Sequence, residues 1–441
     1  MPTILARELG KESRGDLSEA TLEEINSEIN DLSFESMEIT YSLEHDQLVL
    51  EECLEAAESL ESIIESLETA KEQGQSLDSF SAEGYYRAIE NAVGTTLTAE
   101  IFGQNASLES VTAQPELILN EATLEKAKGV LSRLWSGVKN AGGRVKDSIA
   151  DGFSKIFQGV DKLEKKSKTL STAVDQISGE PKKEEIKVAQ GSRLHYQGNL
   201  EADDVVKGLQ DTNEAFRGLN EAFLTLSGAV TDVVQEMIPK AEEIADISDK
   251  EERKKKMNQV STEYNKRVGE MMKEGMDQIK SISDTPISGG RRIIAYKRVS
   301  PENVDLLSLS KGEIAKLVPS IVGDTKIGEF DNSQKIQAPS QKQIEDVHEQ
   351  VEESVKIVKE LTENMEKALE KTYKSSAALY QLMDAQGKNK IWSAAVSAVR
   401  GAVVLGYLGA LNNSFYRTAD HEYSVARAGL NYVEKTSKNF K

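Results

Sequence analysis

A mainly α fold, a helical bundle body with a small β element behind an acidic helical leader, follows from three observations. Apolar residues recur every three or four positions over long stretches, the spacing of one helix face. Pro contributes only 8 residues and aromatics only 5%, while unbranched Glu, Lys, Leu and Ala abound, a composition that favours helices. The β-type signals are short and few, the best being Arg291-Arg292-Ile293-Ile294-Ala295-Tyr296 after Gly289-Gly290. At 441 residues the chain has room for two or three domains and a sizeable core.

Charge divides the chain at Leu119-Asn120-Glu121-Ala122. Residues 1–121 hold 27 Asp and Glu against 5 Lys and Arg, a balance of −22. Residues 122–441 hold 47 against 49, a balance of +2. Three segments are expected: an acidic leader over 1–121, a basic amphipathic segment over 122–180 and a helical body over 181–441. The whole chain at −20 does not suit a protein that simply coats DNA, and the body taken alone lifts that objection.

The leader opens on polar residues 1–16, with no apolar core of a secretory signal in MPTILARELGKESRGD. From about Leu17 to Ala70 the period is helical, with Leu50, Leu54, Ala57, Leu60, Ile64 and Leu67 on one face and glutamates elsewhere. No Lys or Arg lies between Arg14 and Lys71, so such a helix repels itself and is either steadied by a basic partner or weakly stable alone; a solvated acidic face gives the same pattern as a partner surface. A linker is expected at Gln73–Asp78, a short helix at Tyr85–Ala92 and irregular chain from Gly94 to Pro115.

After Glu121 the sign changes. Leu124, Leu131, Leu134, Trp135 and Val138 share a helical face, and Val145, Ile149, Phe153 and Phe157 resume it after Gly142 and Gly143, which read as a break. Lys126, Lys128, Arg133, Lys139, Arg144 and Lys146 flank this face and are the candidate contacts for nucleic acid, a membrane surface or the acidic leader. Helices docked on a core give the same pattern. Lys162, Lys165, Lys166 and Lys168 extend the basic run.

In the body, Pro181–Glu185 reads as a boundary and Ile186–Gly198 as a hairpin. A helix over about Asp203–Met237 ends at Pro239, and a charged helix spans about Ala241–Ile282. Strands are expected near 186–198, 291–299 and 325–338. A long helix over about Gln341–Gln386 precedes two more, Lys390–Leu411 and Asn413–Thr436. Trp392–Leu411 approaches membrane length, but Arg400 and its many Ala and Gly point to a buried small-residue helix.

No catalytic or metal residues are expected. His45, His195, His348 and His421 are far apart, and His348-Glu349 lacks the second His of a zincin helix. No phosphate-binding Gly-rich loop and no nucleophile elbow occurs. Gly289-Gly290-Arg291-Arg292 has the chemistry to hold an anion, although a turn with a basic flank is the commoner meaning. Cys53, the single cysteine, sits among glutamates that raise a thiol pKa, and its solitude fits a reducing compartment. No cofactor is implied.

Two tetrapeptides and the C-terminus resemble the internal head, or capsid-and-scaffold, proteins of large tailed bacteriophages. Leu119-Asn120-Glu121-Ala122 resembles one prohead-protease site, Leu or Ile, any residue, Glu, then a small residue. Ser81-Ala82-Glu83-Gly84 resembles another, a small residue, any residue, then Glu. The first pattern also occurs at Leu17, Ile63 and Leu219. The helix closing on Ala428-Gly429-Leu430-Asn431-Tyr432-Val433 is similar to the tails of the same proteins. The resemblance implies a structural virion protein made in the host cytoplasm and housed inside the capsid. Its expected partners are a prohead protease, scaffold and capsid proteins and, after processing, packaged DNA. Its expected cleavage follows Glu121, before Ala122, or Glu83, before Gly84. Two other classes fit the residues: a membrane-acting or injected helical pore former using 129–157 and 392–411, and a cytosolic helical adaptor with an acidic partner-binding arm.

Overall fold

A computed structural model describes residues 19–73, 119–245, 247, 249–294, 318–324, 330–331, 334–386 and 401–440, with scattered positions between 84 and 91. The fold is mainly α with a small antiparallel β element. In chain order the elements are α1 (Glu19–Glu72), α2 (Leu119–Asp175), β1 (Glu185–Lys187), the single turn α3 (Gly191–Leu194) and α4 (Ala202–Ala245). There follow α5 (Lys250–Lys280), β2 (Pro286–Ile287), β3 (Arg291–Ile294), β4 (Ser320–Gly323), β5 (Lys335–Gln337), α6 (Gln341–Gln386) and α7 (Gly401–Ser437).

The acidic helix α1 is a heptad helix. Ile29, Leu43, Ala57 and Ile64 fall on one heptad position and Ile25, Cys53, Leu60 and Leu67 on the other, all of them buried. That seam lies antiparallel along α2, where Leu124, Ala127, Leu131, Leu134, Val138, Ala141 and Val145 keep the matching spacing. On α2 the stripe then steps by four twice, Val145 to Ile149 to Phe153, before returning to Ile156, Val160 and Leu163. Such a stutter rotates the seam toward new partners, here α6 and α7. Gly142 and Gly143 do not interrupt α2; a mid-helix Gly costs only about 1 kcal/mol against Ala, and packing on both sides of it outweighs that.

The bundle proper is α2, α4, α6 and α7. Ser167 of α2 meets His348 and Glu352 of α6, while Glu164 meets Lys359, so those two helices are antiparallel. Asn213 of α4 donates to the Gln350 carbonyl and Ser227 meets Thr372, so α4 and α6 run together. Phe216 packs on His421 and Phe223 on Phe415, which sets α7 against α4. At the centre Phe153 of α2 contacts Phe415 at 6.3 Å and Tyr416 at 5.5 Å between centroids.

Several expected boundaries moved. The helix expected to stop at Pro239 continues as α4 to Ala245, and Glu236–Arg267 and Lys240–Glu263 pairs to antiparallel α5 bracket the proline. Tertiary pairing there outweighs the lost N–H of Pro239. The next helix begins at Lys250, not Ala241, because Asp249 caps it by accepting from the Glu252 amide at 2.7 Å. A reciprocal box opens α6: the Ser340 amide donates to Gln343 Oε1 at 2.9 Å and the Gln343 amide to Ser340 Oγ at 3.3 Å. The two helices expected on either side of Asn412 are one, α7, in its described part.

The hairpin expected over Ile186–Gly198 does not form. Ile186 pairs instead with Ile336 in a two-stranded sheet, β1 with β5, and α3 occupies the intervening chain. A second, three-stranded sheet runs β2-β3-β4, with Ile293 opposite Ile321. The strands expected near 291–299 and 325–338 correspond to β3 and β5; residues 295–299 and 325–329 lie outside the described residues. So do the linker beyond Gln73, the stretch 94–115 and Trp392. Of the helix expected at Tyr85–Ala92, the described positions are helical, with Ile89 in the core. No helix among the described residues is long and apolar enough to cross a membrane.

Candidate functional site

The acidic helix α1 and the basic helix α2 lie side by side. Glu68 pairs with Lys128 at 2.7 Å, Asp46 with Arg144 at 2.6 Å and Glu28 with Lys162. The three pairs step down α1 as they step up α2, so the carboxylates of an otherwise self-repelling helix find cations on its neighbour. Asp46 sits on the apolar seam itself and is 6% exposed, which makes Arg144 its necessary counter-ion. Two of the candidate contacts, Lys128 and Arg144, are therefore engaged by the acidic helix. Arg133, Lys139 and Lys146 lie on the exposed face of α2. The placement of the Lys126 side chain is outside the described residues.

Where α1, α2 and α7 converge, Lys166 is 1% exposed. Its Nζ donates to Asn26 Oδ1 and Asn431 Oδ1, each at 2.6 Å, and lies 2.8 Å from Glu434 Oε2. Asn26 Nδ2 donates to the same carboxylate at 3.3 Å, and Asn431 Nδ2 to Gln190 Oε1 at 3.0 Å. Burial works to raise the Glu434 carboxyl, but Lys166, Lys438 and Asn26 outweigh it and hold that carboxyl below its ordinary range. Burial pulls the Lys166 amine down while Glu434 opposes it. With three oxygens at 2.6 to 2.8 Å the geometry is that of an ion pair.

Along the α2–α7 contact the helices approach through glycine. A methyl group on Gly152 would stand 2.4 Å from the Tyr416 ring, and one on Gly159 would stand 2.5 Å from that of Tyr423. One on Gly429 would stand 2.3 Å from Val351 of α6. The C-terminal stretch Ala428–Val433 is thus core, with Asn431 on Lys166 and Tyr432 fully buried.

A second buried polar layer crosses the bundle farther along α7. Glu422, 0% exposed, lies beside the Ser354 hydroxyl, which itself donates to Asn213 Oδ1 at 2.8 Å. Burial lifts the Glu422 carboxyl to about 8. Its neighbour His421 is pushed down to about 3, first by burial and then by Arg291 and Arg193. Among the described residues no cluster of His, Cys, Asp and Glu could hold a metal ion.

The expected cleavage points occupy distinct settings. Glu121 and Ala122 lie in the first turn of α2. Gly84 is exposed, and Glu83 lies outside the described residues. The copy of the pattern at Leu219–Ala222 is buried within α4, with Leu219 and Ala222 at 1% and 0% exposure.

The described residues form a bundle of long helices, with the acidic helix α1 held to α2 by a buried seam and charge pairs. The model of the phiKZ-like phage internal head proteins matches residues 19–435, acidic helix included, and the chain belongs to that family. Membership implies a place inside the virion head. No match was found among curated proteins, and none among solved structures.

Proposed function

We propose that this internal head protein is a non-enzymatic component of the prohead core that loses its acidic leader to a prohead protease as the head matures. The cut falls after Glu121 or after Glu83. The trimmed chain stays with the packaged DNA, and scaffold and capsid proteins are its assembly partners.

The observation that carries the reading is the α1–α2 pairing, in which Glu68, Asp46 and Glu28 cover Lys128, Arg144 and Lys162. While α1 is in place, the basic face is partly neutralised and the chain at −20 is held off nucleic acid. Loss of residues 1–121 leaves a balance of +2 and takes the α1 carboxylates away from three cations. Arg133, Lys139 and Lys146 of the exposed face then join them as phosphate contacts.

Mass spectrometry of purified virions tests the proposal. A mature N-terminus at Ala122 or Gly84 is the expected result. An intact chain beginning at Met1 in mature particles overturns the trimming step and leaves the family assignment standing.

A further inference from the structure

The acidic helix is held to α2 by a seam that repeats. Ile25, Leu32, Ile39, Asp46, Cys53, Leu60 and Leu67 follow one another at intervals of seven on α1. Asp46 is the one charged residue in that row, and it is buried. The facing stretch of α2 repeats at the same interval, with Leu124, Leu131, Val138 and Val145 in one row and Ala127, Leu134 and Ala141 in the other. Apolar rows of one period fit together nearly as well after a slide of seven residues, because each knob meets a hole of the same kind. The seam holds α1 without choosing its place.

Two polar matches tell the registers apart. Asp46 Oδ1 accepts from Arg144 Nε at 2.6 Å. Asn26 Oδ1 accepts from the buried Lys166 ammonium at 2.6 Å, and Asn26 Nδ2 donates to Glu434 at 3.3 Å. A slide of α1 by seven residues one way puts Cys53 opposite Arg144 and Ser33 opposite Lys166, and it brings Asp46 beside Asp151. A slide the other way puts Ile39 opposite Arg144 and brings Asp46 beside Gly137. Glu19 then joins Glu434 at Lys166, two carboxylates on one ammonium. Either way Asp46 leaves Arg144 while staying on the seam, and Lys166 and Glu434 lose the amide that serves them both. Parting a buried charge from its partner is strongly destabilising, whereas a buried polar match adds little over an apolar pair. Such groups select a register more than they strengthen it.

Register also decides what lies over the start of α2. Glu68 pairs with Lys128 at 2.7 Å, and α1 ends one turn later at Glu72. Its last turn therefore lies near Leu124 and stops short of Leu119-Asn120-Glu121-Ala122. The slide that brings Ile39 to Arg144 would carry that turn about 10 Å farther, over the tetrapeptide.

We propose that Asp46–Arg144 and Asn26–Lys166 are the register-determining contacts of the acidic helix, selecting one docked position of α1 among several that the apolar seam accepts. That position keeps residues 119–122 clear of α1. The selection concerns the uncut chain and stands whether or not a protease acts there; only the use of the cleared tetrapeptide rests on the trimming proposed above.

Disulfide trapping in the full chain reads the register directly. In a Cys53→Ala background, Glu28→Cys is combined with Lys162→Cys for the native register, where those two side chains meet. It is combined with Lys155→Cys or Thr169→Cys for a slide of seven either way. With Asp46 and Asn26 in place, the native-register pair is expected to close almost alone. In Asn26→Leu/Asp46→Leu the slipped pairs are expected to close at least about ten times as often. Glu68→Gln, which removes an exposed charge pair, is the control and should trap as the native chain does. Asp46→Arg/Arg144→Asp keeps the match with its signs exchanged and is expected to restore native-register closure. Asp46→Leu alone fills the seam and leaves a half-exposed Arg144 beside it, so it is expected to melt no lower than the native chain. Native-register closure alone in Asn26→Leu/Asp46→Leu, or slipped closure in the charge-exchanged chain, overturns the proposal. Loss of closure at every pair overturns it too, because the two contacts would then hold α1 rather than choose its place. The N-terminus found in virions bears on none of these results.

Discussion

Asn26 of the acidic helix accepts a hydrogen bond at 2.6 Å from Lys166, an ammonium closed off from solvent on the next helix. The leader thus supplies part of the solvation of a charge buried in the body. Replacing Asn26 with Leu removes one acceptor and the donor to Glu434, and is expected to cost about 1–3 kcal/mol. Lys166→Met leaves Glu434 facing the core and is expected to cost more, about 3–5 kcal/mol. Lys166→Met with Glu434→Leu is expected to recover much of that. Urea denaturation of the four chains measures all three, and a double variant no more stable than Lys166→Met would refute the pairing.

Gly152 and Gly159 let α2 lie against Tyr416 and Tyr423. Ala at either position raises intrinsic helix propensity by about 1 kcal/mol, yet its methyl meets a buried ring. Overpacking is expected to win, with a net loss of about 1–3 kcal/mol for Gly152→Ala. Tyr416→Leu should relieve the clash, so Gly152→Ala is expected to be milder in that background. Thermal melts of the double-mutant cycle decide, and a stabilising Gly152→Ala would mean the two helices are not this close.

Cutting the connection between α1 and α2 is expected to sever the chain without separating the helices. Leu43, Cys53, Leu60, Ile64 and Leu67 are buried, and their contacts with α2 do not run through the connection. A specific protease site inserted between residues 92 and 118, cleaved in native buffer, should give fragments that co-elute in gel filtration and part in urea. High salt alone should not part them, because the exposed pairs at Lys128 and Lys162 are each worth only about 0–1 kcal/mol and the buried Asp46–Arg144 pair is little screened by salt. Separation on cleavage alone would show that the charge pairs, not the seam, hold α1. For the maturing head, co-elution would mean that trimming must be followed by further cutting or by active displacement.

Long elements were legible in the sequence because their signal is periodic and repeated. The periodic spacing places the acidic helix and α6 almost to the residue, and of the two readings of the acidic face, solvated or partnered, α2 supplies the partner at Lys128, Arg144 and Lys162. Breakers misled. Gly142, Gly143 and Pro239 are local penalties of about 1 to 3 kcal/mol, and tertiary contacts outweigh them in α2 and α4. Ile186 pairs with Ile336 across the whole middle of the chain, a partner that no local pattern reveals. The Gly289-Gly290 turn shows the same limit: the turn is legible, but its contact with His195 comes only through the fold. Lys166 read as one more lysine of a basic run, because nothing in the neighbouring residues marks it for burial.

Glu422 and His421 impose opposite pH dependences on stability. Glu422 has a folded-state pKa raised from 4.5 to about 8, so the folded state holds a proton that the unfolded chain has released between those values. Its contribution is complete below pH 4.5 and is lost as pH rises toward 8. His421 is lowered from 6.5 to about 3, so the folded state binds fewer protons in that window and its contribution is lost as pH falls from 6.5 to 3. The two slopes cancel where the windows overlap, between about pH 4.5 and 6.5, and the decline above 6.5 belongs to Glu422. Glu422→Gln keeps the shape and the contact with Ser354 but cannot ionise. It is expected to match the native chain within about 1 kcal/mol at pH 5 and to exceed it by a few kcal/mol at pH 9. Denaturation midpoints of the two proteins across that range measure the difference directly, so every other titrating group drops out. Curves that stay parallel from pH 5 to 9 would mean that Glu422 reaches solvent, and the buried layer between α4, α6 and α7 would have to be redrawn.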